Sequence, residues 1–247
     1  MVRIDLNADL GEQPDSILDE QLMPFISSCN IASGGHVGNE ETIIRTLTLA
    51  CKHNVAIGVH PSFPDRKHFG RRQMNLSDEA LETSLSEQIT WVKALAGQVG
   101  ASVRHVKPHG ALYNISATNE KYARIIAHTV SKLDQKLLLY GMAHSRSEEL
   151  AKTFDVPFVG EAFADRLYVG ANELMNRNIK GAVLSEQDDV LDQVNDIVFF
   201  RRVKTEKGVV PVNAQTICLH SDTKGAVLLA KSIHQFIVSK GGQIVSF

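Results

Sequence analysis

The sequence is poor in cysteine and has no long apolar run. Only three of its 247 residues are cysteines, and Cys29, Cys51 and Cys218 are scattered with no CxxC pair. This usage suits a reducing compartment better than a disulfide framework. No run approaches the roughly 18 apolar residues of a membrane span, and the first residues carry charge where a signal peptide needs an apolar stretch. We therefore expect a cytoplasmic protein with no membrane partner.

The sequence also lacks an excess of charge of either sign. Its 26 Lys and Arg residues nearly balance 28 Asp and Glu residues, giving a net charge of −2. Since no long basic run is present, the electrostatic footprint of a nucleic-acid-binding protein is missing. The common GxxxxGK[ST], GxGxxG and HExxH motifs are absent as well. If the protein uses ATP, none of these motifs shows where the nucleotide binds.

What is present is an alternation of short apolar runs with helical patterns. Hydrophobic residues make up 43% and charged residues 22% of the chain, as in ordinary globular proteins. The pattern predicts strands at residues 2–6, 29–32, 55–59, 103–106, 136–141, 156–163 and 216–219. It predicts helices at 19–25, 39–54, 77–97, 120–133, 145–153, 187–198 and 224–240, with a hairpin at 199–212. We expect one α/β domain over residues 1–247. Polar residues end nearly every strand, which favours a closed barrel over a doubly wound sheet.

Two polar clusters occur in the first 36 residues. Asp5, Asn7 and Asp9 are two apart, so in a strand they share one face, where burial is costly unless they are paired. An exposed edge strand with surface acids is the alternative. In the second cluster, Asn30 leads to two glycines followed by His36, and glycines let a backbone approach a ligand closely. As a bare motif it equally fits a turn with an incidental histidine.

Two further clusters contain cationic residues. His60 precedes a proline-containing loop that leads to Arg71 and Arg72, which could bind a carboxylate or phosphate. A solvated basic loop explains the same residues. His105, Lys107 and His109 share one parity, and three ionisable groups along one side of a buried strand are hard to explain structurally. Lysine can stabilise developing negative charge, and neutral histidine can act as a base or metal ligand.

Four histidines, His36, His60, His109 and His220, fall at predicted strand ends, where a barrel would bring them together. With the neighbouring aspartates they fit a divalent-metal site, since Zn²⁺ and Mn²⁺ sites mix histidine and aspartate. A metal-free acid/base cluster fits equally. The expected metal ligands are His36, His60 and His109.

At these clusters the sequence resembles the LamB/YcsF family. The matching segments are residues 5–12, 30–36, 58–62, 69–72, 105–114, 161–166 and 216–222. The resemblance extends from about residue 2 to 240, and the block at 105–114 is its most specific part. It implies a single seven-stranded, TIM-like β/α barrel of the glycoside hydrolase/deacetylase type.

The resemblance also implies an activity, an ATP-dependent lactam hydrolase that converts 5-oxoproline to L-glutamate while ATP becomes ADP and phosphate. It implies two partner subunits, B and C, of the allophanate-hydrolase-like type, and leaves homo-oligomer formation open. Our hypothesis assigns catalysis to Asp9, Glu12, Lys107 and His109. It assigns substrate binding to Asn7, Asn30, His36, His60, Arg71, Arg72, Asp165 and Asp222.

Several positions depart from the family pattern. The family commonly has aspartate at Asn39 and cysteine at Ser33 and Ala8, and the loop after Glu12 is shorter here. A lost carboxylate at Asn39 would weaken a metal or acid/base role beside His36. Two alternatives remain at this stage. One is a metal-dependent deacetylase or carbohydrate-active hydrolase in carbohydrate metabolism, and the other is a non-catalytic substrate-binding subunit.

Overall fold

Seven parallel strands close into a barrel in a computed structural model that describes all 247 residues. The barrel strands are β1 (Arg3–Leu10), β2 (Ser28–Ala32), β3 (Ala56–His60), β4 (Val103–Val106), β5 (Leu138–Met142), β6 (Phe158–Phe163) and, with four other strands along the chain, β11 (Thr216–Cys218). Each pairs with the next, and β11 pairs with β1 to close the ring. The predicted seven-stranded barrel is confirmed.

Eight helices accompany the strands. They are α1 (Ile17–Leu22), α2 (Glu40–His53), α3 (Asp78–Gln98), α4 (Gly110–Thr118), α5 (Glu120–Leu133), α6 (Arg146–Thr153), α7 (Gln187–Phe200) and α8 (Ala226–Ser239). The Ser77 side chain accepts a hydrogen bond from the Ala80 N–H and caps α3, as predicted. No helix combines the length and the apolar composition that crossing a membrane requires.

A small second sheet accounts for the irregular last third of the chain. It contains β7 (Tyr168–Gly170), β8 (Glu173–Leu174), β9 (Arg202–Thr205) and β10 (Gly208–Pro211), and a further strand, β12 (Gln243–Ile244), extends β1 at the barrel edge. The predicted hairpin is present as β9 and β10, but it begins at Arg202 because α7 continues through Phe200. The sequence pattern did not predict β7, β8 or α4.

The first strand shows how the sequence sorts its side chains. Ile4, Leu6, Ala8 and Leu10 belong to the hydrophobic core, whereas the alternate residues are polar and equally buried. Asn7 donates to Glu161, which lies on β6, a strand not adjacent to β1. Since such a contact can only cross the lumen, the polar face of β1 points into the barrel. The interior of the barrel is therefore polar.

Candidate active site

A buried lysine lies at the centre of the barrel. The Lys107 Nζ atom contacts Glu161 Oε1 at 2.9 Å, Asp9 Oδ1 at 3.1 Å and Asn7 Oδ1 at 3.2 Å. It also lies 3.1 Å from Cys218 Sγ. Burial acts to lower the pKa of Lys107, but Asp9, Cys218 and Glu161 outweigh it and hold this pKa well above its ordinary value. An ammonium has three N–H groups, so these four acceptors leave none for a ligand.

Asp9 is held on one side and open on the other. Its Oδ1 atom accepts hydrogen bonds from Asn30 Nδ2 and Lys107 Nζ, whereas Oδ2 lies 3.3 Å from His60 Nε2. Burial acts to raise the pKa of Asp9, but His60 and Lys107 outweigh it and hold this pKa well below its ordinary value. Asp9 is therefore an ionised carboxylate with one oxygen directed toward the histidines.

Three histidines lie together above Lys107. The rings of His36 and His109 stack at 3.7 Å, and His60 meets both edge to face. His36 Nε2 lies 3.1 Å from Glu12 Oε1, which favours the tautomer in which this nitrogen donates to the carboxylate. Burial lowers the pKa of His36 to about 2 and that of His109 well below its ordinary value. Both imidazoles are therefore neutral, the form in which histidine acts as a base or a ligand.

An open cavity of about 600 Å³ adjoins this cluster. Across its mouth, Asp222 pairs with Arg71 at 2.6 Å and with Arg177 at 3.1 Å. Arg166 also lines the cavity, and one of its guanidinium nitrogens donates to the Met175 carbonyl. The cavity thus has a carboxylate-rich floor and an arginine-rich mouth.

His220 and Asp165 form a second histidine–carboxylate pair. Asp165 is fully buried, and its Oδ1 atom lies 3.0 Å from His220 Nδ1. Thr223 and the His220 backbone N–H also donate to this carboxylate. Asp165 therefore orients the His220 ring, which leaves Nε2 of a residue that lines the cavity free to accept a proton.

The structure brings most of the predicted site residues together. Those that line the cavity are Asp9, Glu12, His60, Arg71, Lys107, His109 and Asp222. Asn7, Asn30, His36 and Asp165 are buried behind this surface, where they bond to residues that line it or to Lys107. Arg72 is exposed and does not line the cavity.

Sequence reasoning did not select three residues that line the cavity. Tyr113 lies in the unpredicted helix α4, and Arg166 and Arg177 lie around the unpredicted strands β7 and β8. Arg177 carries no local signal, because its segment has neither helical nor strand periodicity. His220 is recognisable in the sequence at a strand end, and its pairing with Asp165 explains its orientation.

The departures from the family pattern occupy structural positions. The Asn39 side chain accepts from the Thr42 N–H and completes a capping box at the start of α2. Ser33 donates to the His60 carbonyl at 3.0 Å and lies 3.0 Å from Gln88 Oε1. Ala8 lies in the hydrophobic core. None of the three lines the cavity.

Comparisons with known proteins agree with this geometry. The model of the LamB/YcsF family matches residues 4–247. The chain is 42% identical to the A subunit of 5-oxoprolinase from Acinetobacter baylyi over 100% of this chain and 98% of that protein. It is 41% identical to the same-named protein of Bacillus cereus over 95% of each. The crystal structure of the lactam utilization protein from Thermus thermophilus superposes with a TM-score of 0.91 at 33% identity, covering 99% of this chain and 100% of that one.

Proposed function

We propose, since the chain belongs to the LamB/YcsF family, that it is the A subunit of an ATP-dependent 5-oxoprolinase, which hydrolyses the lactam of 5-oxoproline to L-glutamate. Full-length relatives at 40–42% identity bear that name, and the similar Thermus protein is described as acting in lactam utilization. A cavity of about 600 Å³ lies within the 300–1,000 Å³ usual for small-molecule sites.

One observation carries the proposal beyond the names. The floor of the cavity holds the buried Lys107, two carboxylates, Asp9 and Glu12, and the neutral imidazole of His109. Charged groups in a site with little water act strongly on charge that develops during a reaction. A merely structural barrel would fill this space with apolar side chains, as barrel interiors usually do.

The chemistry needs both activation and water. A lactam is a stable amide, so in the proposed reaction its oxygen attacks the γ-phosphorus of ATP, forming a P–O bond as the bond to ADP breaks. Water then adds to the ring carbon, and the C–N bond breaks as a proton reaches the nitrogen. The acyl phosphate that remains is hydrolysed by a second water to glutamate and phosphate. Each water must lose a proton to a base.

The geometry assigns distinct roles to the residues in this scheme. Asp9 and Glu12 are the candidate bases, because both carboxylates line the cavity. Lys107 stabilises Asp9 in its ionised form, and its charge lies close to where the phosphorylated oxygen would sit. This refines the sequence hypothesis of direct contact, since the lysine N–H groups already have protein partners. Arg71 and Arg177 at the mouth provide guanidinium groups for the substrate carboxylate.

The test is glutamate release from 5-oxoproline by the purified chain, with and without ATP and its candidate B and C subunits. We expect ATP-dependent glutamate only in the complete mixture. The Asp9→Asn variant in the same mixture should lose at least a hundredfold in rate, because a positioned base contributes about 10²–10⁴-fold.

The alternatives predict other outcomes. Unchanged activity of Asp9→Asn would make the chain a substrate-binding subunit whose partners perform the chemistry. No glutamate in any mixture, together with release of acetate from an acetylated sugar by the chain alone, would replace the proposal with the metal-dependent deacetylase.

A further inference from the structure

Two imidazole nitrogens face each other in the candidate active site with no donor between them. His109 Nδ1 lies 2.9 Å from His60 Nε2. His60 Nδ1 lies 2.7 Å from the Lys107 carbonyl oxygen, and His109 Nε2 lies 2.9 Å from the Phe69 carbonyl oxygen. A carbonyl only accepts, so each ring places its proton on the nitrogen that faces the carbonyl. In the neutral rings, both facing nitrogens therefore present lone pairs.

Two carboxylate oxygens border the same point. Asp9 Oδ2 lies 3.3 Å from His60 Nε2, and Glu12 Oε1 lies 3.7 Å from His109 Nδ1. The four atoms all lie within 4.8 Å of one another. Four electron-rich atoms this close repel one another unless a positive charge lies among them.

We propose that Asp9, Glu12, His60 and His109 bind one divalent transition-metal ion, with Zn²⁺ and Mn²⁺ as the best candidates. Mixed nitrogen and oxygen ligands suit these ions. Two ligands about 2.1 Å from one ion are about 3.0 Å apart in octahedral and about 3.4 Å apart in tetrahedral geometry. The separations of 2.9 and 3.3 Å match this range, and the 3.7 Å separation needs a small inward shift of Glu12.

Each proposed ligand also has a partner that orients it. The two carbonyls fix the histidine tautomers, Asn30 and Lys107 hold Asp9 through its other oxygen, and His36 contacts Glu12. Metal sites characteristically contain such an outer shell, which fixes ligand direction and tautomer. His36, a ligand in the sequence hypothesis, instead belongs to this shell, because its Nε2 atom is engaged by Glu12.

The charges nearby favour a cation. Asp9, Glu12 and Glu161 would supply three negative charges when ionised, and Lys107 supplies one positive charge within 3.1 Å of two of them. The remaining two negative charges would be neutralised by a divalent ion. Burial raises the pKa of Glu12, so without a cation this carboxyl tends toward its neutral form. The open cavity beside the cluster leaves room for water or substrate to complete the coordination.

The rival explanation is a single proton shared between His60 and His109. It would remove the lone-pair repulsion without a metal, but it leaves the convergence of Asp9 and Glu12 on the same point unused. The two explanations differ in what the purified protein contains.

Elemental analysis and titration of the untagged, full-length chain test the proposal without relying on activity. We expect close to one equivalent of Zn²⁺ or Mn²⁺ after purification, and one equivalent of rebinding by calorimetry after chelator treatment. Co²⁺ substitution should produce visible absorption bands. His60→Gln and Glu12→Gln should weaken binding at least tenfold, whereas His128→Gln, on the exposed side of α5, should bind as the wild type does. Circular dichroism will show whether each variant is folded, and the wild-type measurements decide the question even if one is not.

Absence of bound metal, no calorimetric binding of Zn²⁺, Mn²⁺ or Co²⁺ at millimolar concentration, and an imidazole ¹⁵N spectrum showing one proton shared by two rings would overturn the proposal. The outcome is separable from that for the oxoprolinase function. Metal binding by a chain whose complex forms no glutamate supports the site and rejects the function. Full glutamate formation by a chelator-treated complex shown to contain no metal, whose chain then takes up no added ion, does the reverse.

Discussion

The ammonium nitrogen of Lys107 lies 2.9 Å from Glu161 Oε1 in the barrel interior, where neither side chain is more than 2% exposed. Lys107 follows β4 and Glu161 belongs to β6, so this ion pair spans the lumen past β5. A buried pair of this kind adds little net stability compared with an apolar pair, but removal of one partner strands the other charge. The pair is therefore better explained by the chemistry of the site than by stability.

Replacement of Lys107 by methionine should both destabilise the protein and abolish glutamate formation. Methionine keeps much of the volume but leaves Glu161 and Asp9 without their cation, which should cost about 3–5 kcal/mol in the free energy of unfolding. Urea denaturation measures this loss. Lys93→Met is the matched control, because Lys93 pairs with Asp134 at 2.8 Å on the surface and should lose about 0–1 kcal/mol. Equal losses in the two variants would show that the Lys107 charge is not required by its neighbours.

Asp5 should make stability fall as the pH rises above about 4, the usual pKa of an unfolded aspartate. Burial raises its folded-state pKa despite hydrogen bonds from Ser27, Thr216 and Ser28. A raised pKa means that the folded protein holds the proton more tightly, so this contribution is complete below the unfolded pKa and is lost as the pH rises through the folded pKa.

The Asp5→Asn variant lacks this titration. Relative to the wild type, its free energy of unfolding should therefore increase between pH 4 and 7. Asp134→Asn should show the opposite trend, because the hydrogen bond from Lys93 lowers the pKa of Asp134. Urea titrations at several pH values compare the two slopes, and slopes of the same sign would contradict the assignment.

The barrel could be predicted because its sequence signal is local and repeated. Each apolar run ends in polar residues, and the lumen-facing alternation of Asp5, Asn7 and Asp9 is visible in the sequence itself. The helix α4 was missed because its first residue directly follows His109, so a block that reads as one functional motif contains a helix start. The short strands β7 and β8 were missed because strands of two or three residues carry almost no periodicity.

The site was only partly predictable, for a different reason. Strand ends identify which residues approach the mouth of a barrel, and this placed His60 and His109 in one region. The sequence does not specify which nitrogen faces which oxygen, because that depends on distant carbonyls such as that of Phe69. The replacement of His36 by Glu12 in the proposed ligand set depends on such contacts.

Gly58 should be sensitive to substitution although it lies far from the cavity mouth. A Cβ atom at this position would overlap the imidazole of His105, which is buried on the neighbouring strand β4. Gly58→Ala should therefore lower the free energy of unfolding by about 1–3 kcal/mol. Gly97→Ala is the control, since nothing lies within 4 Å of its Cβ position and alanine is favoured in a helix by about 0.5–1 kcal/mol. Thermal denaturation should move in opposite directions, and a stabilised Gly58→Ala would contradict the overlap with His105.

Asn39 should act as a helix cap, so aspartate should replace it with little effect. Its side chain accepts the Thr42 N–H at 2.9 Å, and aspartate caps about as well as asparagine. Asn39→Ala should cost about 1 kcal/mol in unfolding free energy, whereas Asn39→Asp should stay within about 0.5 kcal/mol of the wild type. Glutamate formation by the reconstituted complex should be equal for Asn39→Asp and the wild type. A large gain in activity with aspartate would show that the missing family carboxylate has a chemical role.

Arg177 should bind substrate without stabilising the fold. It contacts Asp222 through a single guanidinium nitrogen, 3.1 Å from each carboxylate oxygen, at a partly exposed position where an ion pair contributes about 0–1 kcal/mol. Arg177→Gln should therefore leave the unfolding free energy within this range while raising the KM for 5-oxoproline at least tenfold, since a charge-assisted hydrogen bond to a carboxylate is worth about 1.5–3 kcal/mol. The kcat should change much less, because the arginine lies at the mouth and the candidate bases lie on the floor. Arg146→Gln, which alters a surface pair with Glu149 outside the cavity, is the control. If Arg177→Gln lowers kcat and leaves KM unchanged, the guanidinium acts on the reacting atoms, and the substrate carboxylate must bind elsewhere in the cavity.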